Sequence, residues 1–198
     1  MLDRFRENIH QARELGTLSQ TISSMITAKI DVSDVWRAQI VLGVSALDYL
    51  IHEMVYLGVV ECAEGRRPKT KKYKRLKISV DAVDLGLSGQ IHSAWLVEEV
   101  KKQIAFMSYQ KPDKIAEAIS LISSIMLWEC VGEDLGLSAL EVVNRLEEIV
   151  ERRNRIAHEA DMDPSNPGNR RFIEPSFAKS SLDFIERIGE SIHRQVFL

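Results

Sequence analysis

The chain has 198 residues, 45% of them apolar and 28% charged, and a formal net charge of −3. These values exclude a collagen-like, low-complexity or strongly charged disordered chain, and they are typical of a globular protein with one domain. The two cysteines, Cys62 and Cys130, belong to no metal-binding spacing, so we expect no zinc, no other metal and no cofactor. No signal peptide is recognisable, and a reducing, cytoplasmic setting is therefore expected.

The first two predicted helices cover about Leu2–Ile26 and about Ser33–Val60. The second contains the most apolar run of the chain, Val35–Val60, which has the length of a membrane span. Four polar or charged residues interrupt that run: Arg37, Asp48, His52 and Glu53. Each would be costly in lipid, so we predict a buried core helix and no membrane partner.

A basic insertion at about residues 63–82 follows the second helix. It contains eight cations and no acid between its first and last cation: Arg66, Arg67, Lys69, Lys71, Lys72, Lys74, Arg75 and Lys77. Because the whole chain carries −3 and this segment +8, the remainder carries −11. Gly65 and Pro68 favour an exposed loop or a short hairpin, and the apolar alternation from Leu76 to Val80 permits a short strand.

The second half of the chain also has helical periodicity. We predict a third helix over about Ile91–Tyr109, a fourth from Pro112 to near Gly132, a fifth from Ser138 to about His158 and a last one over about Ser176–Gln195. A capping box, Ser138 with Glu141, marks the start of the fifth helix. Turn-forming residues from Asp161 to Asn169 predict a loop. The fold class is therefore all-α, a bundle of about six helices in a single domain.

The apolar stripe of the fifth helix contains an arginine. Its apolar members are Val142, Leu146, Ile149 and Ile156. The expected member between the last two is replaced by Arg153, whose charge must find a partner because an unpaired buried charge costs several kcal/mol. An internal carboxylate, a subunit interface and an anionic ligand are the three explanations.

His158 follows Arg153 by five residues, which places the two side chains roughly 140° apart around a regular helix. Asn154 and His158 are four residues apart and lie on one face, so Asn154 is a candidate to orient the imidazole. One helix alone would aim Arg153 and His158 poorly at one atom. Two copies of the helix across a twofold axis could bring both pairs into one cleft.

The run Arg153–His158 resembles the R-x4–6-H signature of HEPN domains, in the form with a polar residue directly after the arginine. The surrounding sequence is similar to the branch called RiboL-PSP-HEPN. Three segments carry the resemblance: Val44–Glu53, Ser108–Ile119 and Arg145–Pro164. The basic stretch from Arg66 to Lys77 is richer in Lys and Arg than the family pattern leads us to expect, and the resemblance assigns it no role.

The resemblance implies a metal-independent endoribonuclease that acts as a homodimer, often as a toxin or an antiphage effector. It makes Arg153 and His158 the catalytic pair and Asn154 their polar companion. A histidine suits proton transfer near neutral pH, and an arginine suits the oxygens of a phosphoryl group. A regulatory partner or antitoxin would lie in another chain.

Other polar residues have competing interpretations. Arg152 and Arg155 are either solvated or in contact with RNA, and Arg37 is either a structural ion pair or a phosphate contact. Asp48 is either half of a buried polar pair with His52 or a group that supports the site. Four cations of the basic insertion are candidate phosphate contacts, against the alternative of a solvated loop: Lys71, Lys72, Lys74 and Arg75.

Two other functional classes remain open for the chain. The first is a catalytically inactive HEPN-type module that binds RNA or protein. The second is a helical structural subunit. Cleavage of RNA indicates the nuclease, binding of RNA without cleavage indicates the inactive module, and neither activity indicates the structural subunit.

Overall fold

The structure, a computed structural model, describes residues 1–25, 31–88 and 94–198. Within these ranges it contains eight α-helices and no β-strand, which confirms the all-α class. The helices are α1 (Leu2–Met25), α2 (Ser33–Ala63), α3 (Val80–Leu87), α4 (Ala94–Ile104), α5 (Pro112–Ile119), α6 (Leu127–Leu135), α7 (Ala139–Glu159) and α8 (Pro175–Phe197).

The long apolar helix α2 is at the centre of the fold, packed against α1, α7 and α8. Leu47, Leu50 and Met54 are fully buried along it. By length and composition, α2 is the one helix of the described ranges that could cross a membrane. Half of its most apolar window, 50%, is buried inside the protein, as in a core helix.

Helices α1, α2, α7 and α8 start and end close to the predicted boundaries. Residue 26, the predicted end of the first helix, lies outside the described residues. The capping box at α7 is formed, because Ser138 Oγ accepts from the Glu141 N–H and the Glu141 carboxylate accepts from the Ser138 N–H at 2.8 Å. Local side-chain chemistry is therefore sufficient to place this helix start.

The prediction of one continuous fourth helix from Pro112 to near Gly132 is wrong, because the structure has two helices there. The structure ends α5 at Ile119 and begins α6 at Leu127, with turns between them. Ser120 Oγ donates to the Glu117 carbonyl at 2.6 Å, and two more serines follow in the break. Serine side chains compete for backbone hydrogen bonds and so disfavour a continuous helix.

The predicted third helix is longer than α4, which ends at Ile104; its first three predicted residues, 91–93, lie outside the described ones. After Ile104 the chain leaves the helix, and the Tyr109 N–H donates to Asp48 Oδ1 at 2.5 Å. This contact with α2 replaces the intrahelical hydrogen bond that Tyr109 would otherwise make.

The strand permitted between Leu76 and Val80 is also wrong. Residues Tyr73–Arg75 form a single 3-10 turn, and α3 begins at Val80, where Ser79 Oγ accepts from the Ala82 N–H at 3.3 Å. Leu76 and Ile78 pack against the core without a partner strand in the described residues. The N-cap at Ser79 therefore favours a helix start here, although the alternating apolar residues are typical of a strand.

Candidate functional site

The C-terminal half of α7 carries the residues that interrupt its apolar stripe. Leu146, Ile149 and Val150 are buried, and one turn later Arg153 is half-buried. Its Nη1 donates to Asn154 Oδ1 at 3.1 Å, and its Nε is buried without a hydrogen-bond partner in the described residues. No carboxylate of the described ranges pairs with Arg153, so of the three explanations an internal carboxylate finds no support.

Arg153, Asn154 and His158 line one cleft of about 1190 Å³. The arginine and the histidine therefore lie in the same cleft, although a regular helix separates their directions by about 140°. The side chain of Arg153 is long enough to reach into the cleft from its position on the stripe, whereas His158 is exposed on the last turn of α7. A single chain therefore brings the three residues together.

Asn154 holds the arginine rather than the histidine. Its carbonyl oxygen accepts from Arg153, and among the described residues no hydrogen bond links Asn154 to His158. The structure thus gives Asn154 a contact with the guanidinium group, and its role as orienter of the imidazole stays a prediction.

Cations from two separate walls of the fold line the same cleft. One wall is the basic segment, which contributes Lys72, Arg75 and Lys77, and the other is the start of α5, which contributes Lys111 and Lys114. Glu117 is the one acidic residue among the lining side chains. Such a surface concentrates positive potential and favours a polyanionic ligand.

Apolar side chains also line the cleft. Ile104, Ala118, Leu121 and Val150 line it beside the polar groups. An apolar lining with a few convergent polar groups is the usual composition of a ligand site.

The basic segment is anchored to the helices rather than free in solvent. Arg67 Nε donates to Glu61 at 2.8 Å, and its guanidinium lies 4.5 Å from the centre of the Phe197 ring. Thr70 is buried and its hydroxyl donates to the Leu121 carbonyl at 2.9 Å. These contacts hold Lys72 and Arg75 at the cleft, whereas Lys71 and Lys74 are exposed and are not among its lining residues.

Asp161 is fully buried immediately beyond α7 and binds two arginines. Its Oδ2 accepts from Arg37 Nε and from Arg152 Nη2, each at 2.8 Å. The same two guanidinium groups also donate to backbone carbonyls, Arg37 to Arg171 at 2.8 Å and Arg152 to Phe172 at 2.9 Å. Arg37 and Arg152 are thus used inside the fold and do not line the cleft.

This network fixes the end of α7 next to His158. Ala160 and Asp161 have φ angles of 51° and 57°, in the left-handed region that non-glycine residues seldom adopt. The Asp161 N–H donates to the Arg155 carbonyl at 2.9 Å, closing the last turn. Because the ion pairs hold this strained end in place, the position of His158 depends on them.

Asp48 and His52 support another side of the cleft. Besides the bond from Tyr109 to Asp48, the His52 Nε2 lies 3.2 Å from the Ile104 carbonyl, and the His52 and Tyr109 rings are 4.6 Å apart. Burial raises the pKa of Tyr109 to about 12. Asp48 therefore holds the chain between α4 and α5, which includes the cleft residues Tyr109 and Gln110.

Arg155 is placed away from the cleft lining, with its Nη2 3.4 Å from Glu151 of the preceding turn. Three cleft cations were not among the site residues predicted from the sequence: Lys77, Lys111 and Lys114. Lys77 stands in the basic run, and the other two stand in the segment Ser108–Ile119 that carries the family resemblance. Their type and spacing on the sequence are those of ordinary solvated lysines.

Within the described ranges, no group of three His, Cys, Asp or Glu side chains is placed to hold a metal ion. Comparison of the chain with protein-family models, with curated proteins and with solved structures finds no match.

Proposed function

We propose that the protein is a metal-independent endoribonuclease of the HEPN type, whose active site is the cleft at the end of α7. The observation that carries this proposal is that Arg153, Asn154 and His158 line one cleft together with five lysine and arginine residues of two other segments. The resemblance of Arg145–Pro164 to the RiboL-PSP-HEPN branch supports the same reaction.

The reaction uses the nucleophile that RNA itself carries. The 2′-oxygen attacks the adjacent phosphorus, the new 2′-O–P bond forms, and the bond from phosphorus to the 5′-oxygen breaks. One group must take the 2′-OH proton and another must supply a proton to the leaving oxygen. The products are a 2′,3′-cyclic phosphate and a 5′-hydroxyl.

His158 is the group suited to proton transfer, since an imidazole changes charge near neutral pH. Arg153 suits the phosphoryl group, because the planar guanidinium of an arginine can bind two phosphoryl oxygens at once. A donor of this kind, held before the reaction begins, typically contributes about 3–4 kcal/mol to the stabilisation of the transition state. The Asn154 amide oxygen accepts from one Nη of the guanidinium group and so supports its orientation.

In a cell, such an activity would suit a toxin or an antiphage effector, held inactive by a regulatory protein in the cytoplasm. Slower growth of cells that express the wild type, relieved by Arg153→Ala, would support that role. Equal growth of cells with the two forms would count against it.

Cleavage of end-labelled RNA in EDTA tests the proposal. We expect the wild type to cut and His158→Ala to lose at least about 100-fold in rate, the typical contribution of general acid–base catalysis. His10→Ala is the matched control, because His10 is an exposed histidine on α1 paired with Glu14. Binding without cleavage by the wild type would instead favour an inactive RNA-binding module.

A further inference from the structure

The two basic walls of the cleft are joined by a single carboxylate. Glu117 of α5 has one oxygen 3.2 Å from Lys114 Nζ and the other 3.9 Å from Lys72 Nζ of the basic segment. The three side chains are each about half exposed, with side-chain exposures of 50% for Lys72, 53% for Lys114 and 59% for Glu117. The carboxylate thus occupies a position between two cations that a phosphate group would fit.

We propose that α5 forms a second phosphate-binding wall, in which Lys111 and Lys114 bind the RNA backbone opposite the basic segment, and that Glu117 competes with the RNA phosphate for Lys72 and Lys114. This inference rests on the proposed function of the cleft. It adds binding residues that neither the HEPN signature nor the basic segment contains.

The charges of the cleft support the assignment. Six lysine and arginine side chains line it, three from the basic segment, two from α5 and Arg153 from α7, against the single acid Glu117. A backbone bound in the cleft therefore has cations of the basic segment, of α5 and of α7 within the same lining. Because exposed ion pairs are worth about 0–1 kcal/mol, the pairs with Glu117 are weak enough for a phosphate to replace.

The first test measures how salt weakens RNA binding. A short fluorescein-labelled oligouridylate RNA is titrated with protein at several salt concentrations, in the His158→Ala background so that the probe is not cut. Each phosphate contact contributes about 0.7 to the slope of log K against log salt for a single strand. We expect Lys111→Gln and Lys114→Gln each to reduce the slope by about that amount. Lys179→Gln, an exposed lysine of α8, is the control and leaves the slope unchanged.

The second test uses the competing carboxylate. Glu117→Gln removes the negative charge and keeps the shape, so we expect the same RNA to bind about two- to fivefold more tightly. Glu147→Gln removes an exposed acid of α7 that does not line the cleft, and it should change the affinity less.

The outcomes separate this inference from the proposed function. The second wall would be overturned if the α5 variants had the same salt slope as Lys179→Gln. It would also be overturned if Glu117→Gln bound RNA no more tightly than Glu147→Gln. Either result would count against the wall even if the wild type cuts RNA. Reduced salt slopes for Lys111→Gln and Lys114→Gln, together with tighter RNA binding by Glu117→Gln, would support the second wall. If the wild type then cut no RNA, only the nuclease proposal would fail.

Discussion

Arg153 occupies a position on α7 where its neighbours Ile149 and Val150 are buried. An apolar residue there would pack without any polar group to satisfy. The guanidinium instead leaves a buried Nε without a hydrogen-bond partner among the described residues. A buried donor left unpaired costs about 1–3 kcal/mol, so we expect the arginine to be less favourable for stability than an apolar residue at this position.

We therefore expect Arg153→Leu to abolish RNA cleavage and to raise the free energy of unfolding by about 1 kcal/mol, because a site that sacrifices packing for function gains stability when the function is removed. Urea unfolding of the two proteins measures the difference. Arg145→Leu is the control, since the Arg145 guanidinium lies 4.3 Å from the centre of the Phe184 ring and its loss brings no such gain. A large loss of stability in Arg153→Leu would show that the arginine serves the fold.

The resemblance to the HEPN signature, and not spacing on α7, led us to place Arg153, Asn154 and His158 in one site, since spacing alone puts the arginine and the histidine roughly 140° apart. The partners of Arg37 and Arg152 could not be predicted in the same way. Arg37 and Asp161 are separated by 124 residues, and only the packing of α2 against the end of α7 brings them together. The same is true of Lys111 and Lys114, whose role at the cleft depends on the contact between α5 and the basic segment.

At the scale of helices, local chemistry predicts where elements begin better than where they end. The capping box at Ser138 and the proline at the start of α5 are both found where the sequence placed them. The break between α5 and α6 was missed because apolar periodicity continues through it, while the three serines that favour turns carry a weaker signal. The end of α4 depends on the tertiary contact of Tyr109 with Asp48.

The start of α7 gives a test of stability with a defined pH dependence. Hydrogen bonds from the Ser138 hydroxyl and backbone N–H lower the pKa of Glu141. A carboxyl group with a lowered folded-state pKa stabilises the fold fully above its unfolded pKa of about 4.3, and the effect is lost as the pH falls through the lowered value.

Ser138→Ala should therefore lower the free energy of unfolding by about 1 kcal/mol near neutral pH, and by less in acid below the lowered pKa of Glu141. Urea unfolding at the two pH values measures both differences. Ser45→Ala, at an exposed position within α2, is the control and should cost nothing. A loss for Ser138→Ala that is the same in acid would show that the carboxylate adds nothing to the cap.

At the scale of the whole molecule, the proposed reaction needs two proton transfers and the cleft offers one imidazole. The other titratable lining groups are lysines, Glu117 and Tyr109, whose raised pKa keeps its hydroxyl protonated near neutral pH. A second copy of the chain would supply a second histidine across a twofold axis, as the resemblance to HEPN domains implies.

We expect sedimentation equilibrium to give twice the chain mass of 22.5 kDa. Mixing of inactive His158→Ala chains with wild-type chains should then reduce activity by more than simple dilution, because mixed dimers keep one histidine. A monomer with full cleavage activity would show that one cleft is sufficient and that the second copy has no catalytic part.

In the proposed reaction, Arg153 and His158 of the cleft act on the 2′-hydroxyl of RNA and the adjacent phosphate. The most direct test is analysis of the chain ends produced in EDTA from an RNA and from the DNA of the same sequence. We predict 2′,3′-cyclic phosphate and 5′-hydroxyl ends from the RNA, no cleavage of the DNA, and no cleavage of either by His158→Ala. Cleavage of the DNA, 5′-phosphate ends, or undiminished activity of His158→Ala would contradict the account.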